Sequence, residues 1–145
     1  MIFSKPTSYA IRALVFLAQH YQQGSVFVSE IAKAEQLPAP FLSKLIRELS
    51  AAGVVTSLRG PGGGISLSHP PNQVSLYDVF MLYDGLTLSN ECLLGHAICS
   101  DETACCVHRL WKPTKTEIER FLKGTSIADL LEMRQEQRDI LLPRH

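Results

Sequence analysis

Residues 28–68 read VSEIAKAEQLPAPFLSKLIRELSAAGVVTSLRGPGGGISLS, and this stretch decides the fold. Ser29 can cap a short helix over Glu30–Glu35, and Leu37-Pro38-Ala39-Pro40 makes a turn. Pro40 suits the first position of a further helix, where a missing N–H has no partner to lose. That helix runs over Phe41–Ala52, burying Phe41, Leu45, Leu49 and Ala52 at helical spacing, and Gly53 stops it. Its other face offers Ser43, Lys44, Arg47 and Ser50, small or basic and able to donate hydrogen bonds. Val54–Thr56 and Ile65–Ser68 flank a centre rich in glycine and proline, the pattern of a β-hairpin. Short helix, turn, helix, hairpin is the order of a winged helix-turn-helix. There the helix after the turn enters the major groove, and the hairpin, or wing, reaches an adjacent groove or the backbone.

The wing tip Arg59-Gly60-Pro61-Gly62-Gly63-Gly64 is no nucleotide loop, because it lacks the Gly-Lys-Ser/Thr ending and no helix follows it at once. Its glycines let backbone N–H groups approach phosphates, and Arg59 can enter a narrow minor groove. The candidate duplex contacts are therefore Ser43, Lys44, Arg47, Arg59, Gly60 and Gly62. Charge agrees in distribution rather than in total. The chain has 14 basic and 14 acidic residues, but residues 1–60 hold six basic against three acidic, a balance of +3.

Upstream, Thr7 or Ser8 can cap a helix running to about Gln23, where Gly24 ends it. Ile11, Leu14, Ala18 and Tyr21 fall on its inward stripe, and Val26–Val28 reads as extended. Downstream, Pro70-Pro71-Asn72 marks a boundary, and Ser75 with Asp78 starts a helix Leu76–Asp84 that Gly85 ends. Later, Val107, Leu110, Trp111, Thr114, Ile118, Phe121 and Leu122 recur at three- and four-residue steps, a seam suited to pairing with a second copy. Pro113 either kinks this helix or begins it. Thr125 or Ser126 caps a last helix to about Arg138, and the tail Leu141–His145 frays. The expected chain is mainly α with a small β-hairpin: a winged helix-turn-helix domain (1–70), a connecting helix (71–90), a loop (91–108), then a long dimerisation helix and C-terminal helix (109–145).

The loop Glu91–His108, ECLLGHAICSDETACCVH, holds all four cysteines and two of the five histidines. The spacing is Cys92-x6-Cys99-x5-Cys105-x2-His108, with Cys106 beside the third member and His96 in between. Nothing near the start resembles a secretion signal, which argues against a disulfide framework. Structural zinc uses ligand pairs two to four residues apart, and only Cys105 and His108 qualify. Wider intervals suit an iron–sulfur cluster with histidine replacing one thiolate. Zinc, thiol redox chemistry and plain structural cysteine stay open on spacing alone. No apolar run approaches the roughly 18–20 residues of a membrane span, so a soluble, cytoplasmic chain is expected. An enzyme is not: His20, His69 and His145 stand alone, and no nucleophile has a base and an orienting partner.

With these residues in view the chain resembles the IscR/NsrR-type winged-helix iron–sulfur transcription regulators. The likeness rests on Tyr9-Ala10, the Arg59–Gly64 string, the cysteine loop, Trp111 and the closing run Thr125–Leu130. It implies a homodimer that binds a duplex DNA operator, with one cluster per subunit altering that binding. IscR-like members hold a 2Fe-2S cluster with three cysteines and a histidine two residues beyond the third. That pattern falls on Cys92, Cys99, Cys105 and His108, with Cys106 a possible substitute and His96 a weaker rival. The first cysteine interval is one residue longer than in IscR or NsrR. Where NsrR-like members use an acidic partner-subunit ligand near the N-terminus, this chain has Ser8, which favours His108. Where IscR carries Glu then Gln on the reading helix, Ser43 and Lys44 stand here, so the operator should differ. Neutral histidine in place of a fourth thiolate makes the site less negative and raises its potential. The rival from another class is an iron–sulfur or zinc protein for electron transfer or metal handling, with no affinity for DNA.

Overall fold

Ser4 opens the first helix, three residues earlier than Thr7 and four before Ser8, the caps expected from sequence. The computed structural model describes residues 3–90 and 92–141. In α1 (Lys5–Gln19) the Ser4 Oγ accepts from the Thr7 N–H at 3.4 Å, and Pro6 fits inside the first turn, where no N–H is missed. Thr7 is instead buried, its hydroxyl turned to Asp84. The helix ends at Gln19, short of Gln23, in a tight turn where Gln22 and Gly24 both take positive φ.

Helix α2 (Val28–Glu35) starts one residue before Ser29. Phe27 occupies its cap position and has no side-chain acceptor; the Glu30 carboxylate reaches back to the Phe27 N–H at 2.7 Å. After the Leu37–Pro38 turn comes α3 (Ala39–Ala51), with Pro40 in its second position. Its inward face is Leu42, Leu45, Ile46 and Leu49. Leu45 and Leu49 are inward as expected, but Phe41 is only half-buried and Ala52 is exposed, and Leu42 and Ile46 complete the stripe in their place. Both sets have helical spacing, and only packing against α1 and α2 separates them.

Strands β1 (Val55–Leu58) and β2 (Gly64–Leu67) pair antiparallel, Val55 opposite Leu67 and Leu58 opposite Gly64. Val26 adds a bridge to Ile65 through bonds of 2.9 and 2.7 Å, tying the wing to the chain before α2. A 3-10 turn at Pro71–Gln73 leads to α4 (Leu76–Asn90), which opens with the reciprocal Ser75–Asp78 cap expected from sequence, at 3.0 and 3.2 Å. Gly85 does not end α4. It sits inside the helix under Met81, whose Cε a Cβ would meet at 2.9 Å.

Helix α5 (His108–Gly124) runs through Pro113 without starting there. Proline leaves the Arg109 carbonyl without its usual donor, and the Thr114 and Thr116 hydroxyls bond back to the Leu110 and Lys112 carbonyls beside it. Helix α6 (Ile127–Leu141) is capped by Ser126 and Asp129 reciprocally, at 2.8 and 3.1 Å. The starts of α4 and α6 lie side by side, joined by the Leu76 N–H to the Thr125 carbonyl and the Ile127 N–H to the Val74 carbonyl. Of the tail Leu141–His145, expected to fray, Leu141 ends α6 and residues 142–145 lie outside the described residues.

One core serves every element. Leu14 of α1, Ile31 of α2, Leu49 of α3, Ile65 of the wing, Phe80 of α4, Leu122 of α5 and Ile127 of α6 all belong to it. The elements after residue 70 thus share apolar packing with those before it. Among the described residues, no helix is long and apolar enough to cross a membrane.

Candidate nucleic-acid interface and cysteine site

The turn between α2 and α3 leaves α3 with one face in the core and Ser43, Lys44 and Arg47 outward, Ser43 half-buried and the other two exposed. The hairpin projects beside it. Gly60 and Gly62 hold positive φ values of 87° and 74°, a conformation other residues rarely adopt. Gly63 lies so close inside the turn that a Cβ would stand 2.5 Å from the Leu58 carbonyl. A groove of about 290 Å³ runs between helix and wing, lined by Phe27, Ser43, Arg47, Ser57, Leu58 and Gly60 among others. Three of the six expected duplex contacts therefore meet in one concavity, while Lys44, Arg59 and Gly62 are exposed outside it.

Sequence reasoning passed over Phe27 and Leu58, each 55% exposed on this groove. Leu58 had a signal: with Val55 inward, strand parity turns Leu58 out.

Helix α4 delivers the chain into the cysteine loop and α5 leads it out. All four cysteines are free thiols; Cys92 is buried, Cys99 and Cys105 half-buried, Cys106 exposed. His96 is exposed, whereas His108, the first residue of α5, is buried. The donors stand as two pairs. Cys92 Sγ is 3.4 Å from Cys105 Sγ, and His108 Nδ1 is 3.4 Å from Cys99 Sγ. Among the described residues no three His, Cys, Asp or Glu side chains converge on the space of a single ion. On its far side His108 Nε2 lies 2.9 Å from Asp101 Oδ1, and both Asp101 oxygens accept from Lys112 Nζ at 2.8 and 2.7 Å.

Electrostatics favour negative charge here. The Leu94 backbone N–H, the strongest influence, holds the Cys92 thiol below the usual thiol range; burial opposes it, and the His96 N–H, Cys105 and Lys115 add to it. The Lys112 ammonium, followed by His108, holds the Asp101 carboxyl below the usual carboxylate range. The α5 N-terminus at His108 adds a dipole favouring an anion by about 0.3–1 kcal/mol. Ser8, the place of the acidic ligand in NsrR-like chains, is an exposed residue of α1. Asp101 and Lys112 were not singled out from sequence. Lys112 had a signal, one helical turn after His108, but a loop residue such as Asp101 obeys no period.

A helix-turn-helix with a basic outer face, flanked by a glycine-tipped wing, defines a winged helix-turn-helix DNA-binding transcription regulator. More narrowly, the chain belongs to the Rrf2 family, described as iron-dependent transcriptional regulators, which it matches over residues 3–133. A helix-turn-helix-type regulator of Aquifex aeolicus is 40% identical over 138 residues, 94% of this chain and 95% of that one. The regulator IscR of Aliivibrio salmonicida is 32% identical over 123 residues, 85% of this chain and 73% of that one. Among solved structures, IscR of T. potens superposes with a TM-score of 0.72 at 26% identity, covering 98% of this chain and 92% of that one. CymR, the global cysteine regulator of B. subtilis, gives 0.79 at 23% identity, covering 90% and 96%, a likeness that bears on the fold alone. These relatives are transcriptional regulators and not enzymes, and neither is this chain.

Proposed function

We propose that this chain is a homodimeric, cytoplasmic regulator whose hold on a duplex operator is set by an iron–sulfur cluster, of the 2Fe-2S kind and one per subunit. Cys92, Cys99, Cys105 and His108 would hold it. The observation that carries this reading is the gathering of three thiols and one imidazole into two 3.4 Å pairs at the start of α5. Donors standing as two separate pairs, with no three converging among the described residues, suit a two-iron group better than one tetrahedral ion. The backbone N–H groups on Cys92, Lys115 and the α5 N-terminus all favour thiolates there. When bound, such a cluster supplies one-electron redox chemistry and a group that oxidants or loss of iron can remove.

The chain's own residues can carry the loop's state to the DNA face. Helix α4, which leads into the loop, packs on the reading head, where the Tyr83 hydroxyl donates to the Leu45 carbonyl of α3 at 3.0 Å. A coupling of about 1–3 kcal/mol between loop and reading helix would change operator affinity roughly 5–150-fold. Leu110 and Phe121, 73% and 54% exposed on one stripe of α5, support its role as the dimer helix. On this reading the chain divides by role as 1–70 reader, 71–90 connector, 91–108 cluster loop and 109–145 dimerising end. Ser43, Lys44, Arg47, Arg59, Gly60 and Gly62 would touch the duplex.

A cluster-free thiol regulator is the second reading, favoured by Cys92 and Cys105 at 3.4 Å with Cys92 inclined to ionise. A peroxide would join them, taking the pair's two electrons and two protons and leaving as water.

Anaerobic purification with visible absorption and Mössbauer spectroscopy, followed by mobility shifts with and without cluster, separates the two. The cluster reading expects coloured protein, two irons per chain, and operator binding that changes on replacing Cys92, Cys99 and Cys105 by serine. Iron-free protein that forms a Cys92–Cys105 disulfide would favour the thiol reading. Either way, Arg59→Ala should weaken binding across sequences and lower the salt slope by about one. Binding unaffected by salt would remove the DNA face itself.

A further inference from the structure

We propose that Asp101 and Lys112 are positioning residues that fix His108 so that Nδ1, and not Nε2, is the nitrogen presented to the metal. This deepens the cluster reading above and rests on it. A neutral imidazole carries one proton on one of two nitrogens, and the partner of one nitrogen decides what the other can do. Asp101 Oδ1, 2.9 Å from Nε2, accepts its proton as a hydrogen bond. Nδ1 is left with its lone pair and faces the Cys99 sulfur at 3.4 Å.

Asp101 is 70% exposed, so burial does not hold its carboxylate still. Lys112 does: its ammonium donates to both carboxylate oxygens from one turn along α5, the helix that His108 begins. The ligand and the lysine that holds its carboxylate partner therefore both ride on α5. A carboxylate behind a ligating imidazole orients the ring and strengthens it as a donor. Losing such a partner weakens the hold on metal roughly 10–100-fold.

The test uses the full-length, anaerobically loaded protein with histidine ¹⁵N-labelled at Nδ1 or at Nε2. Pulsed EPR of the reduced cluster should show the strong nitrogen coupling following the Nδ1 label. Asp101→Ala should release iron to a chelator about tenfold faster and raise the reduction potential; Lys112→Met should speed release by less and, by removing a positive charge, lower the potential. Asp101→Asn, which keeps an acceptor but not the charge, should restore much of the release rate while the potential stays raised. Glu102→Ala, an exposed neighbour, should change neither. Strong coupling on Nε2, or an Asp101→Ala protein whose release rate and potential match the unaltered chain, overturns the inference and leaves the cluster reading standing. Absence of nitrogen coupling from either label, in protein that carries the cluster, removes His108 as a ligand and the inference with it. Iron-free protein after anaerobic reconstitution overturns both.

Discussion

At the scale of single residues, the molecule uses charged side chains where several polar donors can meet them. Asp84 of α4 accepts from the Ser4 N–H and hydroxyl, each at 2.9 Å, and from the Thr7 hydroxyl at 2.6 Å. Burial pushes its carboxyl up, but the Thr7 and Ser4 donors outweigh that and hold it below the usual carboxylate range. A carboxyl held low in the folded chain adds stability that is complete above the ordinary range and is lost as pH falls through the lowered value. Asp84→Asn should therefore cost about 1 kcal/mol near neutral pH, discounted for solvent access, and the gap to the unaltered chain should close in acid. Melts at neutral pH and well below the carboxylate range check this; an equal gap at both would trace the effect to shape and not to charge. The same scale shows what a sequence discloses. Cysteines and histidines announce themselves by type, so Cys92, Cys99, Cys105 and His108 stood out at once. Asp84 did not, because its donors Thr7 and Ser4 lie 77 and 80 residues away, and Asp101 did not, because it sits in a loop that obeys no period, 7 and 11 residues from His108 and Lys112.

At the scale of elements, the order and type of the helices and the hairpin were legible, though not the 3-10 turn at Pro71–Gln73, and most boundaries were not, the start of α4 at Leu76 being an exception. Helix α4 runs on past Gly85, which lies under Met81, and α1 begins at Lys5, capped by Ser4, with Pro6 in a first turn that needs no N–H there. The apolar seam of α5 was visible as a period, but not how its members divide. Ile118 is half-buried against the core and Leu122 is 2% exposed, while Leu110 and Phe121 face outward. Truncation should separate these roles. Leu122→Ala should destabilise the folded chain by about 2–4 kcal/mol through the cavity it leaves. Leu110→Ser with Phe121→Ser should leave that stability within about 0.5 kcal/mol and, on the dimer reading, shift the protein toward monomer. Denaturant melts and sedimentation read the two effects apart; a double variant that stays dimeric would move the pairing surface off α5.

At the scale of the whole molecule, two further polar ties join distant parts across the shared core. The Tyr83 hydroxyl links α4 to α3, and burial, with the Glu48 carboxylate adding to it, pushes that phenol well above its ordinary range, so it stays a donor. Tyr83→Phe should cost about 1 kcal/mol of stability. On the cluster reading it should also shrink the difference in operator affinity between the unaltered chain and Cys92→Ser, measured as a double-mutant cycle by fluorescence anisotropy. A difference left intact would place the linkage elsewhere. The second tie is Glu35, almost fully buried at the end of α2, which accepts from Arg12 of α1 and from both terminal nitrogens of Arg134 on α6 at 2.8 and 3.1 Å. Such long-range pairs were invisible in the sequence, where the three charges sit 23 and 99 residues apart.

The Glu35 knot bears on how this architecture can be taken apart. Because a helix near the far end of the chain clamps the first two, the reader has no clean line along which to cut it free. A truncation after residue 70 would strand a nearly buried carboxylate without its bidentate arginine and open the floor beneath α1. Chimaeras that graft a foreign sensor onto this reader must therefore carry α6 along with it.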